Sequence, residues 1–286
     1  MKTAFVTGAE GFAGRRLFDH LRHTGQNVVA GVRNRARKLA VERAGGQALV
    51  CDVSDPIGVA RAIASVKPDV IYHLAGTSRP SDATDAPLTA YQSIVSGGAN
   101  VLDAARRAVP RAKVVLASAC DVYGAACRDG APVSEDTPLQ PVNTFGSFKA
   151  AAESIAETFY TSYHLDITIA RPFHAIGPSL PERFFFGSVA RRLLAWDAQR
   201  EGNRFELPDL DCKRDLREGV NRSPGGGDRR QAQRDVQHLL RPGLDRPRGG
   251  RDDRPRGGQV RLADALAGGR CRFGAGDVRQ PRAHHA

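Results

Sequence analysis

Cysteine pairs and long apolar runs are both missing from this sequence of 286 residues. The five cysteines form no CxxC pair and have no metal-ligand spacing with histidine, which argues against a disulfide framework and a metal site. Such an odd set is typical of reduced thiols in the cytoplasm. No apolar run approaches the roughly 20 residues of a membrane span, and a strand pattern that begins at Thr3 leaves no room for a signal peptide. We therefore expect a cytoplasmic protein without a membrane segment; its cysteines are Cys51, Cys120, Cys127, Cys212 and Cys271.

Six residue types are missing from the last 70 residues: lysine, isoleucine, threonine, tyrosine, tryptophan and methionine. This segment, 217–286, contains one aromatic residue, Phe273, together with 16 arginines and 8 acidic residues. It therefore holds +8 of the formal net charge of +11, and the rest of the chain is close to balanced. A segment so poor in large apolar side chains cannot offset its ordering entropy by burial, so we expect 217–286 to be disordered.

Two origins of this Arg- and Gly-rich tail are open. Its residues are largely those that GC-rich codons encode, whereas the missing types need AT-rich codons, which favours a change of reading frame near Arg217. The repeat DRPRGGRDDRPRGG (245–258) instead resembles RGG segments that contact phosphates and stack on RNA bases. The scarcity of aromatic residues and the interspersed acids argue against nucleic-acid binding.

Residues 3–171 alternate short apolar runs with helical patterns. Each run is nearly continuous in Val, Ile, Leu and Ala, which is typical of strands buried on both faces of a parallel sheet. Strand–helix alternation at this spacing predicts an α/β protein with a Rossmann-type, doubly wound parallel sheet. The predicted strands are 3–7, 27–32, 47–51, 69–75, 113–118 and 166–171. The predicted helices are 12–23, 56–66, 88–108, 144–163 and 184–196.

A glycine loop, VTGAEGFAG, follows the first predicted strand and opens the first predicted helix. Gly8 permits a tight turn, Gly11 lets the backbone approach a pyrophosphate, and Gly14 allows close packing of helix on strand. The phosphates would bind at the helix N-terminus, beside Phe12, where free N–H groups and the helix dipole favour anions. The pattern alone is weak, but at the N-terminal strand–helix junction of a Rossmann pattern it predicts dinucleotide binding.

The end of the second predicted strand indicates which dinucleotide is preferred. An acidic residue there would bind the ribose 2′-hydroxyl of NAD, but the sequence reads GVRNRARK and has Arg33 and Asn34 in that region. Arginine suits a 2′-phosphate, so NADP(H) is favoured over NAD(H), with a solvated basic loop as the alternative. Asp52 and Val53 are expected at the adenine. The HLAG segment is expected to line the far side of the cofactor through Leu74, Ala75 and Gly76.

Five segments together resemble the extended short-chain dehydrogenase/reductases: TGAEGFAG, HLAG, DVYG (121–124), FGSFKAAAE and RPFHAIGP (171–178). More narrowly, the chain is similar to NAD(P)-dependent nucleotide-sugar epimerases, dehydratases and reductases. RPFHAIGP and DLDCKRDL (209–216) most resemble GDP-4-keto-6-deoxymannose reductases and GDP-mannose 4,6-dehydratases. The resemblance covers about residues 1–216. It implies an NAD(P)-binding Rossmann domain over 1–171, the start of a substrate-binding lobe over 172–216, and dimerisation through the two long helices.

The resemblance also assigns the catalytic positions, and two of them lack their hydroxyl group. In that family a tyrosine and a lysine four residues apart share one helical face. The lysine lowers the pKa of the tyrosine and holds the nicotinamide ribose, and the tyrosine moves a proton while hydride passes to or from the nicotinamide. Lys149 matches the lysine, but Phe145 stands at the tyrosine position and Ala119 at the position of the polarising serine or threonine. Ile94 and His174 each replace an asparagine.

The remaining site assignments also follow from the resemblance. Pro172 is expected at the cofactor, whereas Ser78, His174 and Arg214 are expected at the nucleotide-sugar substrate, with Arg214 pairing with its diphosphate. Phe145 and Phe148 are alternatively no more than core residues of their helix.

Three interpretations of function are open. The first is an NADP(H)-linked enzyme that acts on a GDP- or other nucleoside-diphosphate 4-keto-6-deoxyhexose. The second is a catalytically silent relative that still binds the cofactor, and the third is a truncated product without function. General acid–base assistance contributes about 10²–10⁴ in rate, so loss of both hydroxyls should reduce activity severely unless another group substitutes. Tyr123, Ser118 and Ser147 carry the nearest hydroxyls in the sequence.

Overall fold

The computed structural model describes residues 2–127, 132–177, 179–195 and 216–218. Within them, six strands form one parallel sheet in the order β3-β2-β1-β4-β5-β6, which confirms the predicted Rossmann-type α/β class. The strands are β1 (Thr3–Thr7), β2 (Asn27–Val32), β3 (Gln47–Val50), β4 (Val70–His73), β5 (Lys113–Ala117) and β6 (Asp166–Ala170). The tail beyond Glu218, with its predicted disorder and its two candidate origins, lies outside the described residues, and so does Arg214.

Helices connect the strands on both faces of this sheet. They are α1 (Phe12–His23), α2 (Arg35–Arg43), α3 (Pro56–Val66), α4 (Pro80–Asp85), α5 (Pro87–Tyr91), α6 (Gly97–Ala108), α7 (Thr144–Tyr163) and α8 (Phe185–Ala195). Two short strands, β7 (His174–Ile176) and β8 (Leu216–Glu218), pair in parallel as a separate two-stranded sheet. Three helices have the same bounds in the structure as in the prediction: 12–23, 56–66 and 144–163.

Two apolar clusters hold the sheet between its helix layers. Phe5 packs on the face covered by α3, α6 and α7, together with Ile71. The neighbouring residues Ala4 and Val6 pack on the opposite face, against Phe18 of α1. Successive strand residues point to opposite faces, so burial on both sides explains why the strands appear in the sequence as continuous apolar runs.

The strand order reverses between β1 and β4, whose carboxyl ends lie side by side because Thr7 is in register with His73. In open α/β sheets, ligands bind in the crevice outside the carboxyl ends at this point. The glycine loop follows β1 and the HLAG segment ends β4, so the fold brings both predicted cofactor segments to one place.

Three features differ from the prediction. The helix α2 begins in the GVRNRARK segment, for which the sequence predicted no helix and a solvated basic loop was one interpretation. None of its residues is buried, so no apolar stripe marks the helix in the sequence. The predicted helix over 88–108 is divided by a π-helical turn at Gln92–Ser96, a local widening that hydrophobic periodicity does not reveal. β7 and β8 are three residues each, too short for a periodic signal.

None of the helices in the described part of the chain is both long enough and apolar enough to cross a membrane.

Candidate cofactor and catalytic site

The glycine loop after β1 is packed so closely that two of its positions exclude a side chain. Gly8 has φ of +68°, and a Cβ atom there would lie 2.7 Å from the backbone nitrogen of Ala75. A Cβ atom on Gly14 would overlap the carbonyl oxygen of Gly8. The N–H of Gly8 donates to the carbonyl oxygen of Gly31 at 3.0 Å. These contacts fix the loop against the ends of β2 and β4 and start α1 directly over β1.

The N-terminus of α1 is open to an anion. Gly11 is the N-cap, no side chain caps the helix, and its first turn, which begins at Phe12, contains no acidic residue. The first N–H groups of a helix have no partner within the helix, and they carry the positive end of its dipole. The close backbone and the uncapped first turn therefore fit the pyrophosphate of a nicotinamide dinucleotide.

A cavity of about 270 Å³ lies at the end of β2, lined by Glu10, Arg33, Asn34 and Arg37. Oδ1 of Asn34 accepts a hydrogen bond from the backbone N–H of Arg37 at 3.0 Å, which caps α2 and leaves the amide NH₂ of Asn34 for a ligand. The structure thus brings Arg33 and Asn34 to one cavity and adds Arg37, a third donor. Two guanidinium groups and an amide suit a phosphate monoester.

Glu10 is the member of this cavity that was not predicted from the sequence. Its Oε1 accepts from the backbone N–H of Arg33 at 3.4 Å, and its Oε2 is buried with no hydrogen-bond partner in the described part of the chain. The sequence pattern for an acidic residue that binds the ribose 2′-hydroxyl places it at the end of β2. In the structure, the loop after β1 brings Glu10 to that same end of the sheet. The available signal was the acidic residue between the first two glycines of the loop.

Asp52 and Val53 follow β3 at the same edge of the sheet. Oδ1 of Asp52 accepts from the backbone N–H and the hydroxyl of Ser54, at 3.0 and 2.7 Å. The carbonyl oxygen of Val53 accepts from the side-chain amide of Asn100 at 2.9 Å. Burial, followed by the charges of nearby acidic side chains, raises the pKa of the adjacent Cys51 to about 12, so that thiol stays protonated at neutral pH. Hydrogen bonds therefore hold the segment in place at Asp52 and Val53, the two residues predicted to lie at the adenine.

The HLAG segment crosses in front of the glycine loop. His73 is buried, and its Nδ1 lies 2.8 Å from Oγ1 of Thr7. Burial, and then the positive charge of Lys149, lower the pKa of His73 to about 3, so the ring is neutral at physiological pH. The backbone N–H of Ala75 donates to Thr7 Oγ1 at 3.4 Å. The segment continues through Leu74 and Gly76 to the exposed Ser78, the predicted substrate residue.

α7 carries Phe145 and Lys149 one turn apart, as the resemblance requires. Asn143 begins the helix by accepting from the N–H of Gly146 at 2.7 Å, and its amide donates to Asp121 at 3.3 Å. The start of α7 is therefore held against the segment that follows β5, which includes Ala119.

The residues at three positions where the chain departs from the resembling family share one apolar cluster. Phe145, Ala119 and Ile94 are 4%, 8% and 3% exposed, and all three belong to it. The other buried members are Ala83, Ala90, Val95 and Ala152. The apolar side chains at these three positions therefore belong to a single buried cluster.

Lys149 lies at the margin of this cluster. Its Nζ donates to the carbonyl oxygen of Ala117 at 2.7 Å. Burial lowers the pKa of Lys149 to about 8, although the charges of Glu153 and Asp121 act in the opposite direction. An ammonium group has three donors, so two remain for the hydroxyls of a nicotinamide ribose.

The three nearest hydroxyls differ in their availability. Tyr123 is 3% exposed, and its hydroxyl accepts from Nη1 of Arg171 at 3.1 Å. The same guanidinium donates from Nη2 to Glu153, which is 1% exposed, at 2.7 Å. Ser118 has a buried hydroxyl with no partner among the described residues, whereas Ser147 is exposed on α7. Tyr123 is therefore engaged by an ion-pair network.

The segment after β6 approaches the turn that contains Ala119. The carbonyl oxygen of Pro172 accepts from the N–H of Cys120 at 3.1 Å, and His174 opens β7. Pro172 therefore lies beside the segment that packs against α7, and His174 follows it by two residues. In the described part of the chain, no group of three or more His, Cys, Asp and Glu residues is arranged to hold a metal ion.

Comparison with known proteins agrees with this geometry. The model of the NAD dependent epimerase/dehydratase family matches residues 4–217. GDP-6-deoxy-D-mannose reductase of Pseudomonas aeruginosa is 30% identical over 149 residues, which are 52% of this chain and 49% of that protein. The chain spans about half the length of the curated relatives it matches.

Two solved structures have the same fold. RMD from Pseudomonas aeruginosa complexed with NADPH superposes with a TM-score of 0.63 at 25% identity, covering 76% of this chain and 70% of that chain. UDP-glucose 4-epimerase of Thermus thermophilus, in complex with NAD, gives a TM-score of 0.64 at 24% identity with the same coverage of both chains. At this identity the second likeness shows the fold alone.

Proposed function

Because the chain belongs to the NAD dependent epimerase/dehydratase family, we propose that it binds NADP(H) and a nucleoside-diphosphate 4-keto-6-deoxyhexose, as a reductase or related dehydratase of nucleotide sugars. The observation that carries the proposal is the cradle at Gly8 and Gly14, which lies at the same sheet edge as Lys149. The cofactor domain extends over 1–171 and the substrate lobe begins at 172.

The choice of NADP(H) rests on the cavity at the end of β2. Arg33, Asn34 and Arg37 together present donors to one small space, and a 2′-phosphate is the part of the cofactor that needs them. The P. aeruginosa protein of known structure, which was solved with NADPH, supports the same choice.

When bound, the cofactor supplies hydride exchange at its nicotinamide ring. The first turn of α1 would hold its pyrophosphate, and Lys149 would bind its ribose hydroxyls through Nζ. His174 and Arg214 would contact the sugar nucleotide. Phe145 has no proton to give, so transfer of a proton to the sugar oxygen would depend on a water molecule or on Lys149, whose lowered pKa of about 8 makes it a better acid than an ordinary lysine.

A second candidate function is a catalytically silent protein that binds cofactor and sugar nucleotide without turnover. The observation that favours it is the apolar cluster of Phe145, Ala119 and Ile94. The apolar side chains at these positions supply neither the acid nor the group that would polarise the substrate, whereas the phosphate cradle does not depend on any of the three.

One experiment separates the two candidates. NADPH binding is measured by fluorescence, and turnover is then assayed with GDP-4-keto-6-deoxymannose for the native chain and the double variant Phe145→Tyr, Ala119→Ser. A matched control, Phe159→Tyr with Ala126→Ser, adds the same two hydroxyls elsewhere. The enzyme proposal expects turnover by the native chain, increased by about 10²–10⁴ in the first variant alone.

The contrary outcomes are distinct. If the native chain binds NADPH but shows no turnover, the result supports the catalytically silent candidate and excludes the enzyme candidate. Failure of the native chain to bind either nicotinamide cofactor removes both candidates.

A further inference from the structure

We infer that Glu10 is a specificity-determining residue for the adenosine ribose: its carboxylate accepts a hydrogen bond from an unphosphorylated 2′-hydroxyl and opposes a 2′-phosphate. The cavity therefore takes NAD(H) as well as NADP(H), and Glu10 keeps the preference for NADP(H) small. This inference rests on the proposed binding of a nicotinamide dinucleotide.

The position of Glu10 is the first argument. Its Oε1 is held by the backbone N–H of Arg33, one residue beyond the end of β2. A dinucleotide-binding sheet that prefers NAD presents an acid at this end of the second strand. Here the strand itself ends at Val32 and is followed by Arg33, and the carboxylate comes instead from the glycine loop, 23 residues earlier in the chain. The chemical group is in the expected place although its position in the sequence is different.

The second argument is the unsatisfied oxygen. Oε2 of Glu10 is buried and has no hydrogen-bond partner among the described residues. A buried carboxylate oxygen without a donor is costly, and Arg33 and Arg37 line the same cavity without an ion pair to Glu10 in the described structure. Glu10 also lines the cavity, so a rotation of its carboxylate toward a ligand hydroxyl would satisfy this oxygen.

The third argument is the composition of the cavity. Its volume of about 270 Å³ is slightly below the range of about 300–1,000 Å³ for drug-sized ligands, so it suits one part of a cofactor. One carboxylate faces two guanidinium groups and one amide. The donors attract a 2′-phosphate, and the carboxylate repels it through like charge. A 2′-hydroxyl can donate to Glu10 and accept from Asn34 at the same time, so both forms of the ribose have partners.

The test compares the full-length chain with Glu10→Gln, which keeps the shape of the side chain and removes its charge. Glu42→Gln is the matched control, because Glu42 is an exposed acid on α2 that pairs with Lys38 and does not line the cavity. Dissociation constants for NADPH and NADH are measured by fluorescence. Those for 2′,5′-ADP and 5′-ADP, which lack the nicotinamide half, are measured by calorimetry.

We expect Glu10→Gln to raise the affinity for the two 2′-phosphorylated ligands, NADPH and 2′,5′-ADP, relative to the affinity for NADH and 5′-ADP. The expected change in this ratio is at least about tenfold, which corresponds to about 1.4 kcal/mol. Glu42→Gln should change the same ratio by less than about twofold, because an exposed charge outside the cavity is screened by solvent.

Two results overturn the inference, and they have different meanings. If the native chain binds both cofactors and Glu10→Gln leaves the ratio of the two affinities unchanged, Glu10 does not discriminate between a 2′-hydroxyl and a 2′-phosphate. The proposed function then still stands. If the native chain binds none of the four ligands, the proposed function fails and the inference fails with it.

Discussion

Nζ of Lys149 lies 5.8 Å from the centroid of the Phe145 ring. The lysine therefore faces an aromatic ring of the right size on the right helical turn, but one without a hydroxyl group. An ammonium within about 6 Å of a ring centroid is attracted to the ring face, and this contact moves no proton. The pair therefore lacks the group that would ionise.

The apolar cluster predicts how hydroxyl groups would affect stability. Phe145→Tyr or Ala119→Ser alone places a hydroxyl in this buried apolar cluster and should lower the free energy of unfolding by about 1–3 kcal/mol. In the double variant the two hydroxyls can pair, so its loss should be smaller than the sum of the single losses by about 0.5–3 kcal/mol. Urea unfolding of the four proteins measures this coupling. Strict additivity would show that positions 145 and 119 do not face one another.

Lys149 predicts a pH dependence of cofactor affinity. Its pKa is lowered to about 8 by burial, and the proposed contact with the ribose is strongest for the ammonium form. NADPH affinity should therefore fall as the pH rises through about 8, in a fluorescence titration at constant ionic strength. Lys149→Met should bind weakly at every pH and lack this step. A native profile that is flat between pH 7 and 9 would exclude the contact.

The same lysine predicts a change of stability with the opposite sign. In the unfolded chain its pKa returns to 10.5, so between about pH 8 and 10.5 the unfolded state binds the proton more often than the folded state does. Stability rises with pH wherever the unfolded state binds more protons. The free energy of unfolding of the native chain should therefore increase across this window relative to Lys149→Met. Urea unfolding at several pH values checks it, and a decrease would contradict the burial of the ammonium.

The sheet could be predicted from the sequence because strands buried on both faces appear as continuous apolar runs, as in β1 and β2. α2 could not, because none of its residues is buried and its surface residues carry no period. Ile94, Ala119 and Phe145 could each be recognised as a departure from a family pattern, but their shared cluster depends on tertiary packing. Glu10 was missed for the same reason, since only folding brings the glycine loop against the end of β2.

The glycine loop predicts that Gly8→Ala will be much more harmful than Gly25→Ala. Both residues have positive φ, +68° and +75°, so an alanine is strained by roughly 1–2 kcal/mol at either site. A Cβ atom at Gly25 meets nothing within 4 Å, whereas one at Gly8 meets the backbone of Ala75 at 2.7 Å. Gly8→Ala should therefore unfold at a lower urea concentration and lose NADPH binding, and Gly25→Ala should keep it. Equal behaviour of the two variants would contradict the close packing of the loop.

The buried ion pair between Glu153 and Arg171 predicts a large loss of stability when one partner is removed. Glu153 is 1% exposed and accepts from Nη2 of Arg171 at 2.7 Å. Glu153→Gln leaves the guanidinium without its counter-charge, which costs about 3–5 kcal/mol for a buried pair. Asp166→Asn is the control, because its pair with Lys113 is at the surface, with Asp166 63% exposed, and such pairs contribute about 0–1 kcal/mol. Chemical unfolding of both variants tests the difference. Equal losses would mean that solvent reaches Glu153 and that its pair with Arg171 is not a buried one.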